Sequence, residues 1–338
     1  DRFVLNNDAN LFFILKSIRK ILAPFIMIIF GIYLNKVNYD FSKLIKVFII
    51  TSLVISIYGL FEVLVFNIDI LYLKILNIPR YFQDVKNQPM SQGTLTQSLA
   101  HSRSIFSLIG IKSRLLGLLI GPLTTGFYLA GIISVISHML IFNTKVLKIE
   151  TLVVCLILLI TSLILTQSRS GWLFLLSSFI PVIIRTNKGK LFIAFLLLIV
   201  GSIMTYYGIT SLIFTSFQTL GGVNHMIGIV DTFNAIFDYR AFIGKGTGVV
   251  TILESGYGEI YSQFGFLGFL TFLTFIFKYI SISSKLDNKY NFFKYQSIGY
   301  LYGILITMIF SPYAFSFKGF IFIWIFIGFT AVISFHEK

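Results

Sequence analysis

Two arginines sit where a chain this apolar has little reason to keep a charge. Arg169 lies in Thr166-Gln167-Ser168-Arg169-Ser170-Gly171-Trp172, between two long apolar runs. Arg114 opens Arg114-Leu-Leu-Gly117-Leu-Leu-Ile-Gly121-Pro122-Leu-Thr-Thr-Gly126, at the start of another. An ionised side chain at a helix centre costs about 2.5–3.5 kcal/mol on membrane-insertion scales, and less near the interface. A guanidinium kept at that depth suits a forked, charge-assisted grip on a phosphate or carboxylate. Ser168 and Ser170 can add hydrogen bonds to the same anion, and Gly117 and Gly171 leave room for close approach. Trp172 fits an interfacial anchor. Pro122, which lacks an N–H, is expected to kink its helix and open a cavity near the outer end. The plainer alternatives are a snorkelling Arg114 above a glycine-lined helix contact, and a structural turn anchored by Arg169.

A second cluster lies further on. Arg240 precedes Gly244-Lys245-Gly246-Thr247-Gly248, and Glu254-Ser255-Gly256-Tyr257-Gly258-Glu259 follows. The glycine run can present backbone N–H groups to an anion as a nest, although the P-loop spacing is absent and a flexible turn explains it equally. One of Glu254 and Glu259 is a candidate general base toward a sugar hydroxyl, with Glu254 favoured. Glu254 and Glu259 also flank a helix start, where the dipole favours carboxylates. His225 and Tyr257 complete the candidate set, with a solvated loop residue as the alternative for His225. The histidines show no ligand spacing and Cys155 is the single cysteine, so neither a metal nor another cofactor is expected.

These residues need a membrane scaffold to position them. The chain of 338 residues is 56% hydrophobic and 12% charged, whereas soluble domains carry about 25% charged residues. The expectation is an all-α, polytopic integral membrane protein with one transmembrane domain over 1–338. At about 20 apolar residues per span, about nine spans are expected: 18–35, 46–66, 116–142, 149–167, 170–185, 190–208, 259–280, 294–311 and 317–335. Two longer connections, 67–115 and 209–258, interrupt them.

Lysines concentrate in the links 36–46, 143–150, 185–190 and 278–294, which alternate so as to share one side. The positive-inside rule makes that side cytoplasmic and puts Ser168–Ser170 and both long loops outside. Lys16, Arg19 and Lys20 on the outer flank of the first span oppose the rule, which predicts an odd number of further helices upstream. The net charge of +14 follows from topology and does not signal nucleic-acid binding. The arginines depart from that bias: Arg80, Arg103, Arg114, Arg169 and Arg240 are all expected outside, as for a site holding a phosphorylated or acidic substrate, with lipid headgroups as the plainer alternative.

In their order and shared placement, three motifs resemble the bacterial O-antigen polymerase and O-antigen ligase superfamily. They are Arg114-Leu-Leu-Gly117, Thr166-Gln-Ser-Arg169-Ser-Gly171, and Gly244-x-Gly246-x-Gly248 followed by Glu254-Ser255 and Tyr261-Ser-Gln-Phe-Gly265-Phe-Leu-Gly268. The resemblance covers about residues 46–335. It implies a GT-C-like fold in which about three N-terminal helices are absent from this sequence. It also implies a site facing outward from the bacterial cytoplasmic membrane. The implied substrate is an undecaprenyl-pyrophosphate-linked oligosaccharide and the implied reaction is metal-independent glycosyl transfer. A flippase and a chain-length regulator are the implied partners, beside membrane lipid. On this basis Arg114, Arg169 and Arg240 hold pyrophosphate, Glu254 takes the acceptor proton, and Gly117, Ser168, Ser170, Gly244, Gly246, Tyr257 and His225 line the site. Glu254-Ser255 stands where ligases carry a His-Asn-type pair, so repeat-unit polymerase is favoured over ligase. Family members often carry an arginine earlier in the second loop, where this chain has His225. A lipid-linked glycan transporter is the non-enzymatic alternative, but no internal repeat supports it.

Overall fold

The computed structural model describes residues 11–64, 114–115, 117–119, 122–186, 256–309 and 317–336. Among these, every regular element is helical: α1 Leu11–Lys36, α2 Phe41–Leu64, α3 Pro122–Ile141, α4 Ile149–Thr166, α5 Arg169–Ser178, α6 Ile180–Arg185, α7 Gly256–Ser284, a 3-10 turn at Asn288–Tyr290, α8 Asn291–Thr307 and α9 Phe317–His336. Four stretches among the described residues are long and apolar enough to cross a membrane: Phe41–Leu64, Pro122–Ile141, Ile149–Thr166 and Gln263–Ser284. The protein is thus an all-α membrane protein. The expected span 190–208 lies outside the described residues. So do the expected loops 67–115 and 209–258, apart from Arg114, Leu115 and the residues from Gly256 on, which open α7.

Two expected spans are corrected. The helix expected from residue 116 begins at Pro122. The proline therefore does not kink a helix interior; it occupies the first helical position, where a missing N–H leaves no carbonyl unsatisfied. Residues 117–119 form a turn ahead of it. The span expected over 170–185 is broken at Phe179, which ends α5 and precedes α6, with Pro181 in the first turn of α6. A proline ring there denies the preceding helix its continuous hydrogen-bond ladder.

Helix α3 is the hub, buried along Thr125–Met139 and touching α2, α4, α5, α8 and α9. Small residues let its neighbours close in, as expected where packing rather than water drives association. A Cβ at Gly299 of α8 would strike the Ser178 carbonyl, and one at Gly303 would enter the Phe174 ring. Gly31 of α1 and Gly328 of α9 lie in the same way against the Ile325 and Ile28 carbonyls. A cluster of polar groups in this interior is hydrogen-bonded across helices. Ser178 Oγ donates to Ser134 Oγ at 2.9 Å, Gln296 Nε2 donates to Ser134 Oγ at 3.0 Å, and the Tyr300 hydroxyl donates to Gly131 O at 2.8 Å. His138 Nδ1 lies 2.8 Å from Ser134 O, and the ring stacks on Phe179 with centroids 4.9 Å apart.

Register then decides which helix ends meet. On the antiparallel pair α5 and α8, Ser178 faces Gly299 and Phe174 faces Gly303, so the start of α5 lies beside the end of α8. The start of α9 lies beside the start of α3, with an added Gly319 Cβ only 3.2 Å from Thr124 O. Gly256 at the start of α7 donates its N–H to Met308 O at 2.8 Å, just past α8. The starts of α3, α5, α7 and α9 and the ends of α4 and α8 therefore gather at one end of the bundle. The end of α2 joins them through Glu62.

Candidate functional site

The gathering point is the two-residue link between α4 and α5. Gln167 takes a left-handed conformation (φ 52°) that ends α4. Ser168 is extended and caps α5, its Oγ accepting the Gly171 N–H at 3.1 Å. Thr166 Oγ1 accepts the Ser168 N–H at 3.2 Å and donates to Leu163 O at 2.7 Å. Ser168 is fully buried with its hydroxyl committed to the cap, which makes it a positioning group rather than one presented to solvent. Ser168→Ala is expected to lower the melting temperature of the purified protein by the equivalent of about 1 kcal/mol, the usual weight of an N-cap.

Helix α4 ends with carbonyls that have no partner in their own helix, and the Arg114 segment supplies donors to those of Leu165, Thr166 and the cap residue Gln167. Arg114 Nε donates to Thr166 O at 3.0 Å, Nη2 donates to Gln167 O at 2.8 Å, and the Leu115 N–H donates to Leu165 O at 2.9 Å. A cation at the negative end of a helix is favourable. These bonds use two of the five N–H donors of a guanidinium, and the other three take no partner among the described residues. Burial lowers the Arg114 pKa, and the charge of Arg169 lowers it further. The group stays a cation at physiological pH.

Arg169 is the first residue of α5 and is exposed. Its setting is opposite in sign to that of Arg114, because a cation at the positive end of a helix is unfavourable. Two guanidinium groups close enough to repel, one of them beside a helix N-terminus, make a concentrated positive potential suited to an anion.

The turn after Arg114 is held from the other side. Gly117 has φ +64°, a left-handed conformation that side chains resist. Its N–H donates to Oε2 of Glu62 at 2.8 Å. Glu62 is the only Asp, Glu, Lys or Arg that is fully buried among the described residues. Beside it, Leu115 fills the space over Gly59 of α2. Glu62 was not among the residues expected at a site, because it falls inside an apolar stretch. The signal available was the carboxylate itself, which is expensive within such a segment.

Gly171, in the first turn of α5, brings that helix onto α3. A Cβ there would lie 2.9 Å from the Gly126 carbonyl. Ser170 is half-buried on the same turn. Tyr257 stands at the same end of the bundle, but its hydroxyl donates to Leu305 O at 2.6 Å and fastens α7 to α8. Nine residues into α7, Gly265 (φ 66°, ψ −168°) breaks the helical path in a region open almost only to glycine.

The structure thus brings Arg114, Gly117, Ser168, Arg169 and Ser170 together. His225, Arg240, Gly244, Gly246 and Glu254 lie outside the described residues. No group of three His, Cys, Asp or Glu placed to hold a metal occurs among the described residues. An open-sided cavity of about 710 Å³, lined by Asn143, Lys145, Lys148 and apolar neighbours, lies at the opposite end of α3 and α4 from the arginines. No known protein family, curated protein or solved structure matches this chain.

Proposed function

We propose that the protein polymerises oligosaccharide repeat units carried on undecaprenyl pyrophosphate, at the outer face of the bacterial cytoplasmic membrane. The observation that carries this is the juxtaposition of Arg114 and Arg169 at one end of a membrane helix bundle. The lysine-rich links 36–46, 143–150 and 278–294 belong to the other end, which supports an outward-facing site. A phosphorylated lipid presents a doubly charged diphosphate at that depth, and paired guanidiniums are the side chains that bind it in register.

In the proposed reaction the hydroxyl of an acceptor sugar attacks the anomeric carbon of the donor glycan. The bond from that carbon to the pyrophosphate oxygen breaks, and its electron pair leaves with undecaprenyl pyrophosphate. Charge grows on the diphosphate as that bond breaks, so guanidiniums fixed beforehand stabilise the transition state more than the ground state. Arg114 is fixed by the end of α4, and Arg169 by the cap on α5. Arg240 and the Gly244–Gly246 loop are assigned to the same diphosphate, and Glu254 to the proton released by the acceptor.

A strain lacking the protein is expected to carry glycans of one repeat unit, read by gel electrophoresis of its surface polysaccharide. Full-length polymer in that strain excludes polymerase activity, and long glycans accumulating on the lipid carrier assign the protein as a ligase. Reconstituted protein that moves purified lipid-linked units across a bilayer without joining them assigns it as a transporter.

A further inference from the structure

We propose that Glu62 is the positioning residue for Arg114, acting through the backbone of Gly117 to hold the guanidinium in register with Arg169. The inference rests on the arginine pair being the anion site proposed above. Glu62 stands out first by its burial, since a carboxylate without solvent must be compensated to be tolerated. Part of that compensation is a charge-assisted hydrogen bond from Gly117, a residue distant in sequence.

What the bond achieves follows from its place. Arg114, Leu115 and Gly117 bracket two helices. Arg114 and Leu115 fasten to the end of α4 by three hydrogen bonds. Gly117 fastens to the end of α2 through its N–H. Gly117 is also the residue with the left-handed backbone, so the direction of the chain there depends on whatever secures its N–H. With that bond lost, the bracket loses its hydrogen bond to the end of α2 and the bearing of Arg114 toward Arg169 is held less firmly. Glu62 has no exposed surface and so does not reach substrate. Its effect passes through Gly117.

This role depends on reach more than on charge, and two conservative variants separate the two. Glu62→Gln keeps the length and an acceptor oxygen. Glu62→Asp keeps the charge but withdraws the acceptor by one methylene. The test uses the full chain purified in detergent, with two readouts: hydrogen–deuterium exchange of the amides in 115–118, and the Kd for inorganic pyrophosphate. Glu62→Ala and Glu62→Asp are expected to speed exchange at Gly117 and raise the Kd about tenfold or more, the scale of a lost hydrogen bond to a charged group. Glu62→Gln is expected to stay near wild type in both.

A role confined to stability lowers the melting temperature and leaves the Kd of the folded fraction unchanged, which overturns the proposal. Wild-type behaviour of Glu62→Asp with loss in Glu62→Gln also overturns it, because charge rather than position then matters. If Glu62→Ala does not fold, the Asp and Gln pair decides the question alone. Wild-type protein that binds no pyrophosphate removes the proposed anion site. The exchange data still show in that case whether Glu62 holds the turn.

Discussion

Arg169→Ala is expected to reduce polymer formation by about a hundredfold or more in membranes that contain normal amounts of the protein. That is the scale of removing one preorganised group that stabilises developing charge. Arg169 is exposed at the tip of α5, so its loss should leave the melting temperature nearly unchanged, as for most surface substitutions. Relief of the repulsion with Arg114 and with the positive helix end even favours a small gain. Arg114→Ala is expected to fail in both respects. It removes the charge and also the donors to the carbonyls of Thr166 and Gln167 at the end of α4, a loss of about 1 kcal/mol or more per hydrogen bond. Lysine should rescue the two positions unequally. At Arg169 an ammonium still supplies a charge. At Arg114 one ammonium cannot reproduce the fork that bridges two carbonyls while donors remain for a ligand. Polymer length read by electrophoresis, alongside protein amount and melting temperature, distinguishes these outcomes. Full-length polymer from Arg169→Ala would remove the central support for the proposed site.

The contrast between the two arginines explains how far the sequence could be read. Charge within an apolar context singled out both, because membrane energetics act on residue type alone. Helices α2, α4 and α7 were legible for the same reason, since an apolar run of bilayer length has few other folds open to it. Their roles in the scaffold were not legible. That Arg114 closes the end of α4 depends on a contact between residues 52 positions apart, and no local pattern encodes it. Glu62 was hidden by its own segment. Pro122 and Pro181 were visible as prolines, yet the consequence of each turns on whether it falls inside a helix or at its first turn. A uniformly apolar run gives no sign of that boundary. For Ser168 a cap and an anion contact call for the same hydroxyl, and the cap becomes visible only in the register of α5.

The crossing of α3 and α5 provides the second large effect, because the arginine geometry is built on it. Gly126 leaves no room for a side chain, since a Cβ there would overlap Ser168, the residue that caps α5 and precedes Arg169. Gly171 is its counterpart, with Gly126 backbone atoms 2.9 Å from where its Cβ would lie. At Gly171 the obstacle is main chain and cannot rotate aside, so α5 itself must shift. Gly171→Ala is therefore expected to destabilise the purified protein by about 1–3 kcal/mol, the range for overpacking a close-packed contact. Polymer formation is expected to fall further than stability alone accounts for, because a misplacement on the order of 1 Å in a positioned group can lower a rate about a hundredfold. Gly131→Ala is the matched control on α3. A Cβ there meets only the side-chain atoms of Ile323, at 3.3 Å and 3.4 Å, and these can give way. It is expected to retain both polymer and thermal stability. If Gly171→Ala remains fully active while its melting temperature drops, the α3–α5 contact contributes stability alone, and the placement of Arg169 must be set by the cap at Ser168.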